Sequence, residues 1–216
     1  MPDGTWRNTT EIIDRKGKTA GMYHKNHLTR GEHDESGLQF GTEAPLIQCD
    51  FGTVACAICF DLNFEPLRRR YEPQRPDIIA FSSMYHGGLA QKIWAYDCQA
   101  YFVGAICGLR CDVLSPQGEI LDSTTSYKHF VAARINLDRE LIHLDFNGDK
   151  LRAAKKKYRD KIGIRVPDFL GSVLLTSETE EFSVVDVIRE FDMTPWRDYY
   201  AASLQHRQEN IPGGDA

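Results

Sequence analysis

Short apolar runs separated by polar, glycine-containing segments form the dominant pattern of the chain. The runs "TEIID" and "TAGMY" flank Lys16-Gly17, which predicts a β-hairpin over residues 10–14 and 19–23. The runs "PLIQCD", "TVACAIC", "DIIAFSS" and "YFVGAIC" are each predicted to form a strand, and "TVACAIC" and "DIIAFSS" suit buried strands. A second hairpin is expected in "CDVLSPQGEILDS", and "HFVAARINL" is the last clear strand.

Helical patterns alternate with these strands. The segment "NFEPLRRRYEPQR" predicts a short surface helix with Asn63 as N-cap and Pro66 in its first turn. A second helix is predicted because apolar residues recur at helical spacing, namely Leu89, Ile93, Tyr96 and Ala100. The basic segment "DKLRAAKKKYRDK" predicts a solvated helix face, with a basic binding patch as the alternative. The run "VVDVIREF" fits a strand or a short helix, and the polar stretch 27–44 predicts a loop.

This alternation of strands and helices predicts an α/β protein, which some schemes would class as α+β because the hairpins add antiparallel pairing. We expect one domain over residues 1–176 and a C-terminal extension over residues 177–216. The extension brings Trp196, Tyr199 and Tyr200 close together in sequence, so it is expected to dock on its own domain or on a partner subunit. Its end, "ENIPGGDA", is predicted to be disordered.

Composition narrows the classes of function. The 216 residues are 42% hydrophobic and 26% charged, which is typical of a globular protein. The net charge of −5 argues against a general nucleic-acid binder. No apolar run reaches the length of a membrane span, and the first 18 residues lack the apolar segment of a signal peptide. A cytoplasmic location is therefore expected, where the six cysteines would stay reduced.

The stretch "CAICFD" carries two of these cysteines, Cys56 and Cys59, in C-x-x-C spacing. A redox pair would need its first cysteine at a helix N-terminus, but Cys56 lies in a predicted strand, where residues three apart point to opposite faces. A zinc site would need a second knuckle, and Cys107 and Cys111 are one residue too far apart for that pattern. No metal site is therefore expected.

The third hypothesis makes Cys59 a single nucleophile. It lies where a buried strand leads into a helix, a junction that exposes a side chain and leaves backbone N–H groups free to bind an oxyanion. Such a thiol needs a nearby positive charge to react as a thiolate at neutral pH. The alternative is that Cys59 is a small buried apolar residue.

Five motifs in order extend this third hypothesis. Lys25 lies in "YHKNHL", "CDFGTVA" follows a glycine-rich loop, and Cys59 lies in "CFD", 34 residues after Lys25. "PDIIAFSS" and "SPQGEIL" follow. This order and spacing resemble the nitrilase, or carbon–nitrogen hydrolase, superfamily from about Arg7 to Leu175.

The resemblance implies a four-layer α-β-β-α sandwich that assembles as a homodimer or higher homo-oligomer. It implies that Cys59 attacks a small amide, carbamoyl amine or nitrile and forms a thioester-type intermediate without a cofactor. Lys25 would stabilise the thiolate and the oxyanion, together with the backbone N–H of Phe60. Glu32 matches a second family glutamate and would orient the lysine or the substrate amine.

The loop "SSMYHGG" follows the strand after the nucleophile, so Met84, Tyr85 and His86 are candidate substrate-binding residues. An ordinary polar loop is the alternative for this stretch. No nucleic acid or membrane is expected as a partner.

Two departures from the family pattern bear on activity. The general-base glutamate of the family lies well upstream of the lysine, and Glu11 lies in the hairpin strand instead. We therefore expect an N-terminally truncated domain that is weakly active or inactive by itself, or a catalytically impaired relative with a binding or assembly role. The segment "WAYDCQAYFV" also replaces the family's R-A-x-E-N pattern.

Overall fold

Two compact units, Met1–Ile135 and Asn136–Ala216, make up the computed structural model, which describes residues 4–167 and 169–212. The units meet at residues 135 and 136 rather than at the boundary of 176 and 177 expected from the sequence. That expected boundary falls inside a strand, Ser172–Ser177, which pairs on both sides within the second unit.

The first unit begins with the predicted hairpin. Strands β1 (Thr9–Ile13) and β2 (Thr19–His24) pair antiparallel. The carboxylate of Asp14 accepts hydrogen bonds from the backbone N–H groups of Lys16 and Lys18, both at 2.8 Å, and so fixes the turn.

A six-stranded mixed sheet forms the centre of the first unit, in the order β3-β4-β5-β6-β7-β8. Its strands are β3 (Ile47–Cys49), β4 (Gly52–Ile58), β5 (Ile78–Ser83), β6 (Tyr101–Ile106), β7 (Asp112–Leu114) and β8 (Ile120–Ser123). Strand β5 is parallel to both β4 and β6, and the other pairs are antiparallel. The carboxyl ends of β4, β5 and β6 therefore share one edge, where α/β sheets commonly place their sites.

Helices α1 (Glu65–Tyr71) and α2 (Leu89–Cys98) connect the parallel strands. Pro66 lies in the first turn of α1 as predicted, but the N-cap is Phe64, and no side chain caps the helix. The predicted cap, Asn63, instead donates its side-chain N–H to the carbonyl of Phe60 at 3.1 Å, so it bonds within the preceding turn.

The buried face of α2 differs from the expected one. The helix buries Gln91, Trp94, Ala95 and Cys98, whereas Leu89 is 70% exposed. Trp94 decides the orientation, because it is fully buried and its indole N–H donates to the carbonyl of Leu62 at 2.9 Å. The helical spacing of apolar residues does not show that Trp94, the largest side chain of α2, lies on a different face from Leu89 and Ile93.

The second unit is an antiparallel three-stranded sheet with three helices. In chain order it contains β9 (Arg139–His143), α3 (Gly148–Tyr158), β10 (Ile162–Arg165), β11 (Ser172–Ser177), α4 (Val184–Glu190) and α5 (Trp196–Asn210). Strand β11 lies between β10 and β9. Ser183 caps α4 by accepting a hydrogen bond from the N–H of Asp186, which explains why "VVDVIREF" is helical rather than extended.

The predicted strand over residues 129–137 is absent from the part of the chain that the structure describes. Phe130 is 73% exposed there, whereas Leu141 and Ile142 are buried in β9 a few residues later. The strand therefore forms at residues 139–143, where side chains are buried and the backbone pairs with β11, rather than at residues 129–137.

The C-terminal segment docks on its own unit through β9. The rings of Tyr199 and His143 stack at 4.2 Å, and the hydroxyl of Tyr199 donates to Asp145 at 2.6 Å. Helix α5 extends through Glu209 and Asn210 of the predicted disordered end, and residues 213–216 lie outside the described residues.

Helix α3 carries the basic segment as predicted. Lys157 and Lys150 pair with Glu190 and Asp192 of the same unit. This pairing fits a solvated helix face better than a basic binding patch. No helix within residues 4–167 and 169–212 combines the length and apolar character needed to cross a bilayer.

Candidate active site

Cys59 occupies a strained turn at the carboxyl end of β4. Ile58 is still extended, with φ −121°, and Cys59 then takes φ +48° as the chain enters the 3₁₀ turn Cys59–Asn63. A left-handed residue that is not glycine costs on the order of 1–3 kcal/mol and persists only where the surroundings impose it. The partly exposed thiol thus lies at the sheet edge that the topology assigns to a site.

Asp61 holds this turn together. Its side chain is fully buried, and Oδ2 accepts hydrogen bonds from the N–H of Ile58 at 3.1 Å and from the hydroxyl of Tyr23 at 2.7 Å. Oδ1 accepts from the backbone N–H of His27 at 2.8 Å and from its Nδ1–H at 3.0 Å. Burial and the charge of Asp61 raise the pKa of Tyr23 far above its ordinary value, so Tyr23 stays a neutral donor.

Lys25 lies between these two donors in sequence and is only 2% exposed. Its Nζ donates to both carboxylate oxygens of Glu32, at 2.8 and 2.6 Å. The structure therefore brings together the predicted lysine and the predicted glutamate as an ion pair in which Lys25 is buried and Glu32 is 22% exposed.

Glu32 is ionised and well supplied with donors. Its partial burial raises the pKa, but hydrogen bonds from Lys25, the N–H of Thr29 and the side chain of Asn8 outweigh burial and hold the pKa at about 2. A carboxylate with so low a pKa is a poor proton acceptor at neutral pH. Glu32 is therefore suited to hold Lys25 charged and in place rather than to act as a general base.

The backbone of Lys25 is fixed from two sides. Its N–H donates to the carbonyl of Asn8 at 2.9 Å, and its carbonyl accepts from the N–H of Gly41 at 2.7 Å. A side chain at Gly41 would collide with the carbonyl of His24, so this approach requires glycine. The glycine-rich loop that links the lysine and cysteine motifs thus packs back on the lysine.

Cys56, the neighbour in "CAICFD", has a different environment. It is fully buried in β4, and burial, together with nearby Cys49, raises the pKa of its thiol to about 12. All six cysteines are free thiols. No group of three or more His, Cys, Asp or Glu side chains among residues 4–167 and 169–212 is arranged to hold a metal ion.

The predicted substrate-binding residues fall into different surroundings. The hydroxyl of Tyr85 donates to Oδ1 of Asn63 at 2.9 Å. Burial raises the pKa of Tyr85, and the nearby Cys59 raises it further. The Phe60 side chain is 37% exposed on the same turn. Tyr85 and Phe60 are thus brought to the cysteine.

Met84 and His86 are placed differently. Met84 is 79% exposed, and His86 directs Nε2 toward the buried carboxylate of Asp112 at 3.6 Å. The N–H of Gly88 donates to Nδ1 of His86 at 3.1 Å, and the side-chain amide of Gln91 donates to the backbone carbonyl of His86, so both the ring and the backbone of His86 are bonded within the fold.

Tyr23 and His27 were missed as site residues at the sequence level. They alternate with Lys25 in "YHKNH", and in extended chain such residues share a face. The alternation was the available signal, but their common partner, Asp61, lies 34 residues after His27 and only the fold reveals it.

The carboxylates upstream of Lys25 that the structure describes lie on the hairpin. Glu11 accepts from the hydroxyl of Thr19, and Asp14 is bonded to the turn. Both carboxylates are hydrogen-bonded within the hairpin.

The chain is similar to known proteins. A family model described as carbon-nitrogen hydrolase matches residues 3–136. Among solved structures, Nit3 of Saccharomyces cerevisiae, a member of branch 10 of the nitrilase superfamily, is 21% identical with a TM-score of 0.48, covering 55% of this chain and 49% of that one.

An amidase from Nesterenkonia sp. is 18% identical with a TM-score of 0.47, covering 53% of this chain and 49% of that one. A carbon-nitrogen hydrolase from Helicobacter pylori G27 is 16% identical with a TM-score of 0.44, covering 57% of this chain and 54% of that one. The chain thus spans about half the length of these solved structures. The α/β fold class expected from the sequence is confirmed.

Proposed function

The chain belongs to the carbon-nitrogen hydrolase family, and from this premise we propose that it hydrolyses a carbon–nitrogen bond in a small amide, carbamoyl amine or nitrile with Cys59 as nucleophile. The single observation that carries the proposal is the position of Cys59 at φ +48° on a turn whose neighbouring segment presents the buried Lys25 paired with Glu32. A partly exposed cysteine at the edge of parallel strands, with a fixed cation on a segment hydrogen-bonded to its turn, suits thiol catalysis.

For an amide, the proposed reaction has two stages. The Cys59 thiolate adds to the carbonyl carbon, the C–N bond breaks as the leaving nitrogen takes a proton, and a thioester remains. Water then attacks the thioester, which gives the carboxylic acid and returns the thiol. Each stage passes through an oxyanion, which Lys25 and the backbone N–H of Phe60 stabilise.

Glu32 serves this chemistry through Lys25. Since its pKa is about 2, Glu32 stays ionised across the neutral range and keeps the buried ammonium compensated. Proton transfer to and from the leaving group and water needs a further base, for which the carboxylates of the β1–β2 hairpin are poorly placed. General-base catalysis is worth roughly 10²–10⁴ in rate, so slow turnover is part of the proposal.

We further propose that Phe60, Met84, Tyr85 and His86 border the substrate, with Tyr85 and Phe60 nearest the thiol. A cytoplasmic location and assembly into homodimers remain proposals from the sequence. The finer choice among amide, carbamoyl amine and nitrile depends on the side chains that enclose the leaving group.

The test is a hydrolysis assay of the full chain with a small primary amide, a carbamoyl amine and a nitrile. Ammonia release reports turnover, and intact mass spectrometry after an acid quench reports the acyl-enzyme. Wild type is expected to gain one acyl mass that the Cys59→Ala variant lacks. An equal gain on both proteins would refute Cys59 as the nucleophile.

A second candidate function is binding or assembly without catalysis. The engagement of Glu11 and Asp14 in the hairpin favours it. Under this alternative Cys59 would still be alkylated by a haloacetamide, but no substrate in the panel would release ammonia above the level of Cys59→Ala.

A further inference from the structure

Asp61 joins two segments of the first unit: the segment that carries Lys25, the proposed cation, and the turn that carries Cys59, the proposed nucleophile. Its carboxylate offers about four acceptor positions, and four donors occupy them: the Tyr23 hydroxyl, the Ile58 N–H, and both the backbone N–H and Nδ1–H of His27. A buried carboxylate is costly unless its acceptors are satisfied in this way. The carboxylate is thus fixed by groups from both segments at once.

The donors bracket the proposed reactive residues. Ile58 precedes Cys59, so its bond to Asp61 closes the turn around the thiol. Tyr23 and His27 lie two residues before and two residues after Lys25, so their bonds tie the lysine segment to the same carboxylate. Cys59 and Lys25 themselves do not contact Asp61 in these bonds.

The ring of His27 has a second contact that fixes its plane. It stacks on Phe64 with centroids 3.9 Å apart and an interplanar angle of 4°. Phe64 follows the Cys59–Asn63 turn directly, and Phe60 meets its ring edge-on at 5.0 Å. The imidazole therefore contacts the Cys59–Asn63 turn at its middle residue, Asp61, and at the residue that follows the turn, Phe64.

We propose that His27 is a positioning residue for the reaction, which acts through Asp61 to hold the Lys25 segment in register with the Cys59 turn. The inference rests on the proposed function, because it assumes that Cys59 is the nucleophile and Lys25 its cation. The Nδ1–H bond to Asp61 carries the effect, and the stack on Phe64 orients the ring for it.

The test measures the second-order rate of Cys59 alkylation by iodoacetamide in the full chain, mapped by peptide mass spectrometry from pH 6 to pH 9. In this step the sulfur forms a bond to the methylene carbon and iodide leaves, so the general base is not needed. His27→Phe keeps a stacking ring but lacks the donor, and it is expected to slow alkylation about tenfold. His27→Asn places an amide N–H near the position of Nδ1 and is expected to restore the rate to within about threefold of wild type.

His33→Phe is the matched control. His33 lies in the same loop, contacts the ring of Phe40 at 4.9 Å and bonds to the carbonyl of Leu38, without a bond to Asp61. This variant is expected to react within about twofold of wild type, since it leaves the donors of Asp61 in place. Urea unfolding of each variant shows whether it is folded, and Tyr23→Phe, which removes another donor of Asp61, replaces His27→Phe if that variant does not fold.

The outcomes separate the two proposals. If wild-type Cys59 reacts no faster than exposed Cys107, the proposed function fails and the role of His27 fails with it. If Cys59 outpaces Cys107 in wild type and equally in His27→Phe, only the role of His27 is overturned. If His27→Asn reacts as slowly as His27→Phe, the role of His27 is also overturned, because restoring an N–H donor to Asp61 would then not restore the alkylation rate.

Discussion

The two compact units bury polar groups of different kinds. Among its described residues, the first unit buries three charged side chains, Lys25, Asp61 and Asp112, each at 3% exposure or less. Among the described residues of the second unit, the buried polar side chains are neutral: Asn147, Ser172, Thr176 and Ser177. The Lys157–Glu190 pair of the second unit lies at the surface, with side chains 53% and 39% exposed.

This difference has a physical meaning. Burying a charge costs several kcal/mol of desolvation, which its hydrogen-bond and ionic partners must offset. A buried charge is therefore a weak source of stability. The second unit is built on an apolar core with Ile142, Val173 and Leu175 at its centre. The first unit has an apolar core as well, so its buried charges, with Lys25 after β2, Asp61 after β4 and Asp112 at the start of β7, fit a role in chemistry better than a role in stability.

The largest expected effect is that of Lys25→Met. The substitution removes the cation that we assign to Cys59 and leaves Glu32 without its main partner. Alkylation of Cys59 by iodoacetamide is expected to slow about a hundredfold. Lys157→Met, which breaks a surface pair of the second unit, should leave the rate unchanged. If Lys25→Met and Lys157→Met slowed the alkylation of Cys59 equally, the buried cation of the first unit would have no special role in it.

The next effect is on stability. Glu32→Gln leaves the buried ammonium of Lys25 without a counter-charge, which is expected to lower the free energy of unfolding by about 3 kcal/mol. The matched variant Glu190→Gln disrupts the exposed pair with Lys157 and should shift the urea midpoint little. Urea unfolding at pH 7 compares them, and a smaller loss for Glu32→Gln than for Glu190→Gln would refute the distinction.

The pH dependence of the same pair gives a smaller effect. The native pKa of Glu32, about 2, lies below its ordinary value of 4.5. Its stabilisation is therefore fully present above about pH 5 and is lost as the pH falls toward 2. The stability gap between wild type and Glu32→Gln should narrow between pH 5 and pH 3. A constant gap over that range would show that the charge of Glu32 is not what stabilises the unit.

The smallest effect concerns Tyr199 in the second unit. Its hydrogen bond to Asp145 raises the pKa of the hydroxyl above 10, with burial adding to the shift. Because the native pKa is raised, the bond contributes below the ordinary tyrosine range and is lost as the pH rises through the native pKa. Ultraviolet titration should find one tyrosine whose pKa falls back in Asp145→Asn. Unchanged titration in that variant would contradict the contact.

Much of the fold follows from local pattern. The hairpin at Lys16-Gly17, the strands "TVACAIC" and "DIIAFSS", and the strand-to-turn position of Cys59 are all visible in short stretches. These elements are predictable because alternation and turn residues act over a few positions. Their order also carried the family resemblance, which the match over residues 3–136 confirms.

The features that the sequence did not predict have a common cause. The orientation of α2 depends on Trp94 reaching the carbonyl of Leu62, and the choice of β9 over residues 129–137 depends on pairing with β11. The convergence of Tyr23 and His27 on Asp61 likewise joins distant stretches. Each is decided by contacts between segments, which a local pattern does not contain.

The central claim, that Cys59 is an activated nucleophile, is tested most directly by the order in which the six thiols react. Limiting iodoacetamide at pH 7, followed by peptide mapping, gives a rate for each cysteine of the folded chain. Cys107 is the exposed thiol and Cys59 is only partly exposed, so accessibility alone would place Cys107 first. We expect Cys59 to react about tenfold faster than Cys107, and a rate order that simply follows exposure, with Cys107 ahead of Cys59, would contradict the assignment of Cys59.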